Sequence, residues 1–375
     1  MRAPATVLLL SQLPPPYGGL TVHTARLRSM LEQRGWRVAV ASLPPSRSPL
    51  PRRFRRTLLF WDQLRFLCGL PWLPGVLVHD HVSAYVLGLR SPVAIALQLA
   101  LLLMLRLRRG CWVLSCGNGL LPGQLADAPA WLRRAVRALY RGVDFAIAKN
   151  RPILDAFEEL GLGDRSRVVG TFLEPASVEP AAPLPAEVER FLAAHPKCVV
   201  TAGFRFEPLY HVDAVVRAVA ALRAAPPPGT RAEQIGLVIL GSQAEDAGGK
   251  PALDAALQET SSEAHVLILR DVDFALDVTA RAAVFVRATD VDGDANTVKE
   301  AMLVGVPVIA TDLPGRPPGL HLVPRARLDL LEPALREVLA HPDPDRIERN
   351  RAFVKEDIER NAGEILAIYE RVLGG

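Results

Sequence analysis

Short apolar segments alternate with helix-patterned segments along most of the chain. In the first half, an apolar run beginning at Thr6 precedes a segment whose apolar residues have helical spacing and which ends at Gly35. Further apolar runs occupy 36–41, 76–78, 111–114 and 143–148. Runs that are apolar throughout predict strands covered on both faces, and the helical segments between them predict parallel pairing. The first half is therefore expected to be a Rossmann-like α/β domain.

The alternation of strands and helices begins again after a proline-rich segment. Residues 174–187 contain four prolines among small residues, and the balance of charge changes sign there. Apolar runs then recur at 198–203, 237–241, 266–269, 283–286 and 306–310. A chain of 375 residues is long enough for two domains. We predict a first domain over 1–178, a second over 179–350 and a helix over 351–375.

Charge is distributed unevenly between the two halves. Residues 1–175 contain 23 Lys and Arg against 10 Asp and Glu, whereas the remainder contains 21 against 30. A basic half indicates an anionic partner, either a membrane leaflet or a phosphorylated ligand. Nucleic acid is not expected, since no recognised binding motif accompanies the charge.

Two segments of the basic half have patterns typical of membrane surfaces. Residues 92–105 are apolar except for Gln98 and are followed by arginines, but they are too short to span a bilayer. This segment is interpreted as a helix buried against the sheet, with an interfacial helix as the alternative. The basic and aromatic cluster at 52–61 adds support to the alternative, although such a cluster is usually a solvated face. Four scattered cysteines and an N-terminal apolar run too short for a signal peptide predict a cytoplasmic protein.

The segment 290–312 contains the most informative pattern in the chain. Asp292 precedes a loop of small residues, a helix follows, and Glu300 lies inside that helix. The free backbone N–H groups from Asp294 to Thr297 would open the helix and form an anion site suited to phosphate. The carboxylates on either side accept hydrogen bonds from sugar hydroxyls. The spacing suits a nucleotide diphosphate sugar, although two acids that only cap and solvate a helix would give the same pattern.

This segment resembles the acid-x7-acid signature of the retaining GT-B glycosyltransferases of family four, also called glycosyl transferases group 1. The resemblance extends to the Gly18-Gly19 loop, the strand at 143–148 and the segment 203–218 that opens the second domain. It implies a bacterial enzyme with two Rossmann-like domains facing across a cleft. It also implies that the terminal helix crosses back to the first domain.

The resemblance implies roles for individual residues. Asp292 takes the position of the acid that contacts the transferred sugar, and Glu300 that of the acid that holds the nucleotide ribose. Arg205 takes the position of an arginine that neutralises the departing diphosphate. The remaining donor-binding positions are Gly293, Asp294, Asn296 and Thr297 at the start of the helix, and Gly18 and Gly19 across the cleft.

Two donor-side positions depart from the family pattern. Tyr210 stands where the family has a lysine, so that one phosphate charge lacks a partner. That charge is compensated only if His211, Arg270 or Arg287 supplies it. Asp292 is shorter than the glutamate that the family places there.

The acceptor side of the cleft also departs from the pattern. The strand that ordinarily ends in a cleft histidine leads here to Cys116 and Asn118. A metal site is not expected at His79 and His81, because no further ligands accompany the pair. His81 is assigned to the acceptor side, with a structural role as the alternative, and structural roles are the preferred alternative for Cys116 and Asn118 as well. The lack of GxGxxG, GxSxG and P-loop patterns argues against nicotinamide enzymes, α/β-hydrolases and P-loop proteins.

The predicted function is metal-independent transfer of a sugar from a nucleotide diphosphate sugar, with no further cofactor, to a hydroxyl of a glycan or polyprenyl-linked acceptor. The expected setting is bacterial surface-polysaccharide biosynthesis at the inner leaflet of the plasma membrane. Two alternatives stay open. One is transfer to a small soluble metabolite, and the other is a non-catalytic nucleotide-sugar-binding scaffold.

Overall fold

The computed structural model describes residues 6–41, 76–107, 110–173, 183–242 and 248–374. The basic and aromatic cluster at 52–61 and most of the proline-rich segment at 174–187 lie outside the described residues. Within the described part, strands and helices alternate, as the hydrophobic pattern predicts.

The first domain is a six-stranded parallel sheet flanked by helices. Its strands are β1 (Thr6–Leu10), β2 (Arg37–Ala41), β3 (Val76–Asp80), β4 (Cys111–Cys116), β5 (Phe145–Ala148) and β6 (Ser166–Val168). They lie in the order β2-β1-β3-β4-β5-β6. Its helices are α1 (Gly19–Gln33), α2 (Pro92–Leu107), α3 (Leu121–Asp127), α4 (Ala130–Tyr140) and α5 (Arg151–Glu159). In the described part of the chain, no helix combines the length and apolarity needed to cross a bilayer.

The second domain repeats this architecture. Its strands are β7 (Val199–Ala202), β8 (Leu237–Gly241), β9 (Val266–Arg270), β10 (Val284–Arg287), β11 (Val308–Thr311) and β12 (His321–Val323). They form a parallel sheet in the order β12-β11-β10-β7-β8-β9. Its helices are α6 (Ala186–Ala194), α7 (Val212–Ala224), α8 (Lys250–Thr260), α9 (Ala275–Ala280), α10 (Asn296–Leu303) and α11 (Leu331–Ala340). The carboxyl ends of parallel strands lie at one edge of a sheet, which is where open α/β folds bind ligands.

A long terminal helix, α12 (Pro344–Gly374), follows the second domain and begins earlier than the sequence pattern predicts. Asp343 Oδ1 accepts a hydrogen bond from Arg346 N at 2.9 Å, and proline fits the first helical position. The other end of α12 lies against the first sheet, where the Cys111 thiol lies 3.2 Å from Val372 O. One buried apolar cluster contains residues of both sheets and of α12, so the two domains share a continuous core.

Candidate active site

The loop that precedes α10 lies directly against the first domain. A Cβ atom on Gly119 would lie 2.7 Å from Asp292 O, and one on Gly293 would overlap Gly117 O. Asn150 Nδ2 also donates hydrogen bonds to the carbonyl oxygens of Asp292 and Gly293, each at 2.9 Å. Glycine is needed at these positions because the two backbones approach more closely than a side chain permits. The segment predicted to bind the donor therefore lies at the domain interface.

The Gly18-Gly19 loop meets the second domain at two points. A Cβ atom on Gly18 would lie 2.6 Å from the Phe204 ring. Asn296 Nδ2 donates to Gly19 O at 2.9 Å, which joins the first residue of α10 to the first residue of α1. Thr297, the second residue of α10, is half-buried beside this contact. The structure thus brings together the Gly18-Gly19 loop and the start of α10, two segments that the sequence assigns to the donor.

The carboxylate of Asp292 is held by two arginines. Arg287 donates from Nε at 3.0 Å to one Asp292 oxygen and from Nη2 at 3.1 Å to the other, while Arg316 Nη1 donates at 3.0 Å. Burial opposes ionisation of Asp292, but Arg287 and Arg316 outweigh it and hold the pKa of Asp292 below its ordinary value. A carboxylate offers about four acceptor positions, and three are occupied here. Sequence reasoning did not identify Arg316, because an isolated arginine between prolines carries no signal.

Arg287 lies against the tyrosine that replaces the family's lysine. Its guanidinium carbon lies 4.7 Å from the centroid of the Tyr210 ring, within the range of a cation–π contact. Burial raises the pKa of Tyr210, which keeps its hydroxyl neutral. The other two candidates for the missing charge have different partners. Arg270 stacks on the ring of Phe206, and His211 Nε2 lies 2.9 Å from Asp290 Oδ1.

Arg205 lies in the first turn after β7, in a backbone conformation that is rare for residues with a side chain. Its φ is 57°, and that of Phe206 is 48°. Such angles persist only where the surrounding structure imposes them, and they are concentrated at functional sites. The Arg205 side chain is 40% exposed, and its Nη1 lies 3.9 Å from Glu207 Oε1. It is therefore accessible to a ligand.

Glu300, the second acid of the motif, forms an ion pair across the domain interface. Arg26 Nη2 on α1 lies 2.7 Å from Glu300 Oε1, and the two side chains are only 10% and 15% exposed. Arg26 was not among the predicted site residues, because nothing in the sequence connects it with α10. The carboxylate expected to hold a ribose is occupied by this arginine in the structure.

Asp294 belongs to a buried charge network around Lys299. The Lys299 ammonium lies 2.5 Å from Asp294 Oδ2 and 2.7 Å from Asp357 Oδ2 of α12. Thr171 Oγ1 also donates to the carbonyl oxygen of Asp294 at 3.1 Å. This network ties the start of α10 to the end of the first domain and to the terminal helix. The Asp294 carboxylate is thus committed to contacts within the protein.

Cys116 and Asn118 lie at the carboxyl end of β4. Cys116 is buried, and burial raises the pKa of its thiol to about 12. Asn118 Nδ2 donates to Gln124 Oε1 at 3.0 Å, and its Oδ1 accepts from Leu120 N at 3.1 Å. Cys116 is therefore a buried thiol that stays protonated and unreactive, and Asn118 stabilises the turn that leads into α3.

His81 lies in a buried group of three histidines, which we call the histidine cluster (His23, His79 and His81). The His79 and His81 ring centroids lie 4.5 Å apart, and Tyr369 Oη of α12 lies 2.5 Å from His79 Nδ1. Burial and the Lys149 charge lower the pKa of His81 to about 3, and burial lowers the pKa of Lys149 to about 8. Among the described residues, no group of three or more His, Cys, Asp or Glu side chains has a geometry that could hold a metal ion. His81 is a neutral core side chain, and His23 and Lys149 were not anticipated.

Comparison with known proteins identifies one protein family that the second domain resembles in sequence. Residues 195–340 match the model of the family described as Glycosyl transferases group 1. No curated protein matches the chain in sequence.

Solved structures match over nearly the whole chain. A sucrose-phosphate synthase from Thermosynechococcus elongatus has a TM-score of 0.71 at 16% identity, covering 99% of this chain and 100% of its own. HepE from Anabaena, in complex with UDP and glucose, has a TM-score of 0.66 at 15% identity, with coverage of 98% and 100%. A UDP-forming α,α-trehalose-phosphate synthase from Burkholderia xenovorans, in complex with glucose-6-phosphate, has a TM-score of 0.71 at 13% identity, with coverage of 99% and 100%. The predicted GT-B fold is confirmed.

Proposed function

We propose that this protein is a retaining glycosyltransferase that moves a sugar from a nucleotide diphosphate sugar to an acceptor hydroxyl between its two domains. The observation that carries the proposal is the contact between Asn296 at the start of α10 and Gly19 at the start of α1. Helix N-termini carry unpaired backbone N–H groups and partial positive charge, so two that meet at a cleft suit a diphosphate. The family match over residues 195–340 supports the same reaction class.

The proposed leaving group is stabilised by fixed positive charge. The departing nucleoside diphosphate is neutralised by Arg205, which is accessible just after the carboxyl end of β7, and by the backbone amides of Asn296 and Thr297. These groups supply the charge that a metal ion provides in other transferases, so we propose a metal-independent reaction. Glu300 accepts hydrogen bonds from the ribose hydroxyls once Arg26 has moved aside.

The side chains of the cleft favour front-face attack. Asp292 is engaged by two arginines, and the Cys116 thiol is buried and protonated, so neither suits a covalent nucleophile. The acceptor oxygen forms its bond to the anomeric carbon on the face from which the phosphate oxygen departs. The departing phosphate accepts the proton of the acceptor hydroxyl, and the configuration is retained.

Helix α2 supports an acceptor that is presented at a membrane. Its buried side contains Gln98, the only polar residue between 92 and 105, whose Nε2 lies 3.5 Å from Ser83 Oγ. Its outer side exposes Val93, Leu103 and Leu107 at 57%, 46% and 65%. A helix that points Gln98 inward, exposes apolar residues along its outer side and has an exposed arginine, Arg106, in its last turn suits an apolar environment at its surface.

The segment that contains α2 and α4 is rich in arginine. Residues 81–143 contain eight arginines and a single acid, Asp127. Helix α4 lies beside α2, because Arg106 Nη1 donates to Ala138 O at 2.7 Å, and it exposes 55% of Trp131. Arginines and an exposed tryptophan beside an apolar stripe suit an anionic leaflet. We propose that the protein binds the inner leaflet of a bacterial plasma membrane and glycosylates a lipid-linked precursor of a surface polysaccharide.

A second candidate acceptor is a small soluble sugar phosphate. Two of the similar structures are synthases of sucrose phosphate and trehalose phosphate, and one of these holds glucose-6-phosphate. A non-catalytic scaffold that only binds the nucleotide sugar is the remaining alternative, and the assays below distinguish all three.

The donor is tested by thermal shift with UDP, GDP, ADP, dTDP and CDP, each with magnesium and with a chelator. We expect one nucleotide to raise the melting temperature equally in both conditions. Turnover of the matching nucleotide sugar should be lost in Arg205→Ala and kept in Arg217→Ala, which changes an exposed arginine paired with Asp213 and Glu259. Binding without turnover on any acceptor would favour the scaffold, and an inverted anomeric product in NMR would overturn retention.

The membrane surface is tested by co-sedimentation with vesicles of increasing anionic lipid content. Leu103→Glu should release the protein, whereas Leu322→Glu, which changes a leucine 47% exposed on the second domain, should not. Binding that is indifferent to anionic lipid and to Leu103→Glu would overturn the membrane proposal. Turnover on sugar phosphates alone would then identify the soluble acceptor.

A further inference from the structure

Two arginines and one carboxylate form a buried group with an excess of positive charge, which we call the arginine pair site (Arg287, Arg316 and Asp292). The side chains are 10%, 6% and 14% exposed, respectively. The other two acids of the same loop have partners elsewhere, since Asp294 is paired with Lys299 and Asp290 Oδ1 lies 2.9 Å from His211 Nε2. Buried charges are normally balanced by partners of opposite sign, so a net positive group indicates an anion that belongs there.

One nitrogen of this group is buried without a partner. Arg316 donates from Nε to Thr311 O at 3.1 Å and from Nη1 to Asp292 at 3.0 Å. Its Nη2 is buried and forms no hydrogen bond with any of the described residues. A buried guanidinium nitrogen is costly to leave unsatisfied, which indicates a missing acceptor beside Arg316 Nη2.

The arginine pair site lies at the domain interface, where the donor would bind. Arg287 ends β10, and Arg316 lies in the turn after β11. A Cβ atom on Gly315 would lie 3.1 Å from Asn150 Cβ of the first domain. Asn150 also donates to the carbonyl oxygen of Asp292. An anion bound at Arg316 would therefore lie between the two domains, beside the start of α10.

We propose that Arg316 and Arg287 bind the diphosphate of the donor and supply the charge that Tyr210 does not. Arg316 contacts a phosphate oxygen through Nη2, and Arg287, stacked on Tyr210, adds its charge from the next strand. Asp292 orients both guanidinium groups and reduces their combined charge. This inference rests on the proposed function, because it assigns the phosphates of the same donor.

The test uses inorganic pyrophosphate as the probe, in titration calorimetry with the full-length protein. Loss of a charged hydrogen-bonding partner typically lowers affinity by about 10- to 100-fold, which is the decrease expected for Arg316→Leu. Arg316→Lys, which keeps the charge but not the planar fork, should lose less. Arg327→Leu is the control, since it removes an exposed arginine paired with Asp329 in the same domain.

A second variant, which is expected to strengthen pyrophosphate binding, separates this inference from simple misfolding. Asp292→Asn removes the negative charge of the arginine pair site and keeps a side chain of the same shape. We expect it to tighten pyrophosphate binding by about tenfold, because one repulsive charge close to the anion is lost. Melting temperatures of both variants verify that the fold is retained.

The outcomes distinguish the inference from the function on which it rests. Equal pyrophosphate affinity in the wild type and Arg316→Leu, or weaker binding in Asp292→Asn, would overturn the arginine pair site. If a nucleotide diphosphate still binds and its sugar is still transferred in Arg316→Leu, the proposed function stands without it. If pyrophosphate binds as expected but no nucleotide binds the wild type, the proposed function fails and an anion site remains.

Discussion

Replacing Arg26 by methionine tests whether the ion pair with Glu300 competes with nucleotide binding. Methionine keeps much of the apolar stem of Arg26 and removes its charge. In the structure the pair spans the two domains, with 2.7 Å between Arg26 Nη2 and Glu300 Oε1. A ribose that uses the same carboxylate must first break this contact.

The magnitude follows from the burial of the pair. Hydrogen bonds to charged groups contribute about 1.5–3 kcal/mol, and the two side chains here are only 10% and 15% exposed. Arg26 regains part of this from water when it is displaced, which leaves a net cost of about 1–2 kcal/mol. Arg26→Met abolishes that cost, so the nucleotide should bind about 5- to 30-fold more tightly. The unliganded variant should be less stable, because the Glu300 carboxylate has lost its partner.

The assay is calorimetric titration of the nucleotide selected by thermal shift, with denaturant unfolding of both proteins. Arg28→Met is the matched control, because Arg28 lies on the same helix, is exposed and pairs with Glu32 one turn further along that helix. Affinity should rise in Arg26→Met and stay unchanged in Arg28→Met. Unchanged or weaker nucleotide binding in a folded Arg26→Met protein would refute the competition between arginine and ribose.

Four further outcomes are expected. Lys299→Met should lower the free energy of unfolding by about 3–5 kcal/mol, because it removes the buried cation that lies between the carboxylates of Asp294 and Asp357; a loss no larger than that of the exposed Lys250→Met would contradict this. Gly293→Ala should lower kcat/KM by about tenfold or more, since its Cβ atom forces the domains apart, and an unchanged value would show that the contact is dispensable. With a pKa of about 12 caused by burial, the Cys116 thiol should resist thiol reagents at pH 8 until the protein unfolds, and rapid labelling of the native protein would disprove its burial. Burial holds the pKa values of the histidine cluster well below normal, so the unfolded chain binds more protons than the folded protein below about pH 6.5. The free energy of unfolding should therefore decrease as the pH is lowered below about 6.5, by about 1.4 kcal/mol per histidine and pH unit, and the decrease should be smaller in His23→Phe.

The sequence by itself determined the fold. Apolar runs separated by helical segments require strands covered on both faces, and a chain with two such series forms two parallel sheets. The sequence also located the loop before α10, because an acid, small residues and a helix start form a local pattern. The sequence assigned Gly293 to the donor loop, and only the structure shows that the backbone of the first domain closely approaches this glycine.

Helix α2 shows where a pattern leaves two answers open. The apolar run between 92 and 105 is compatible with a buried helix and with an interfacial one. In the structure Leu102 and Leu105 are buried, while Leu103 and Leu107 are exposed, so packing covers only one side. Composition alone could not choose between the two, because apolar residues occur on every side of this run.

The partners of the site residues were decided only by the tertiary structure. Arg26 meets Glu300, and Arg316 meets Asp292, across separations along the chain that no local pattern reports. An arginine on a helix or in a turn looks the same in sequence whether it faces water or a buried carboxylate. Its role depends on which residues folding brings within hydrogen-bonding distance, because charge pairs act over a few ångströms in space. The sequence thus indicated which segments form the candidate site, and folding determined which charged side chains meet there.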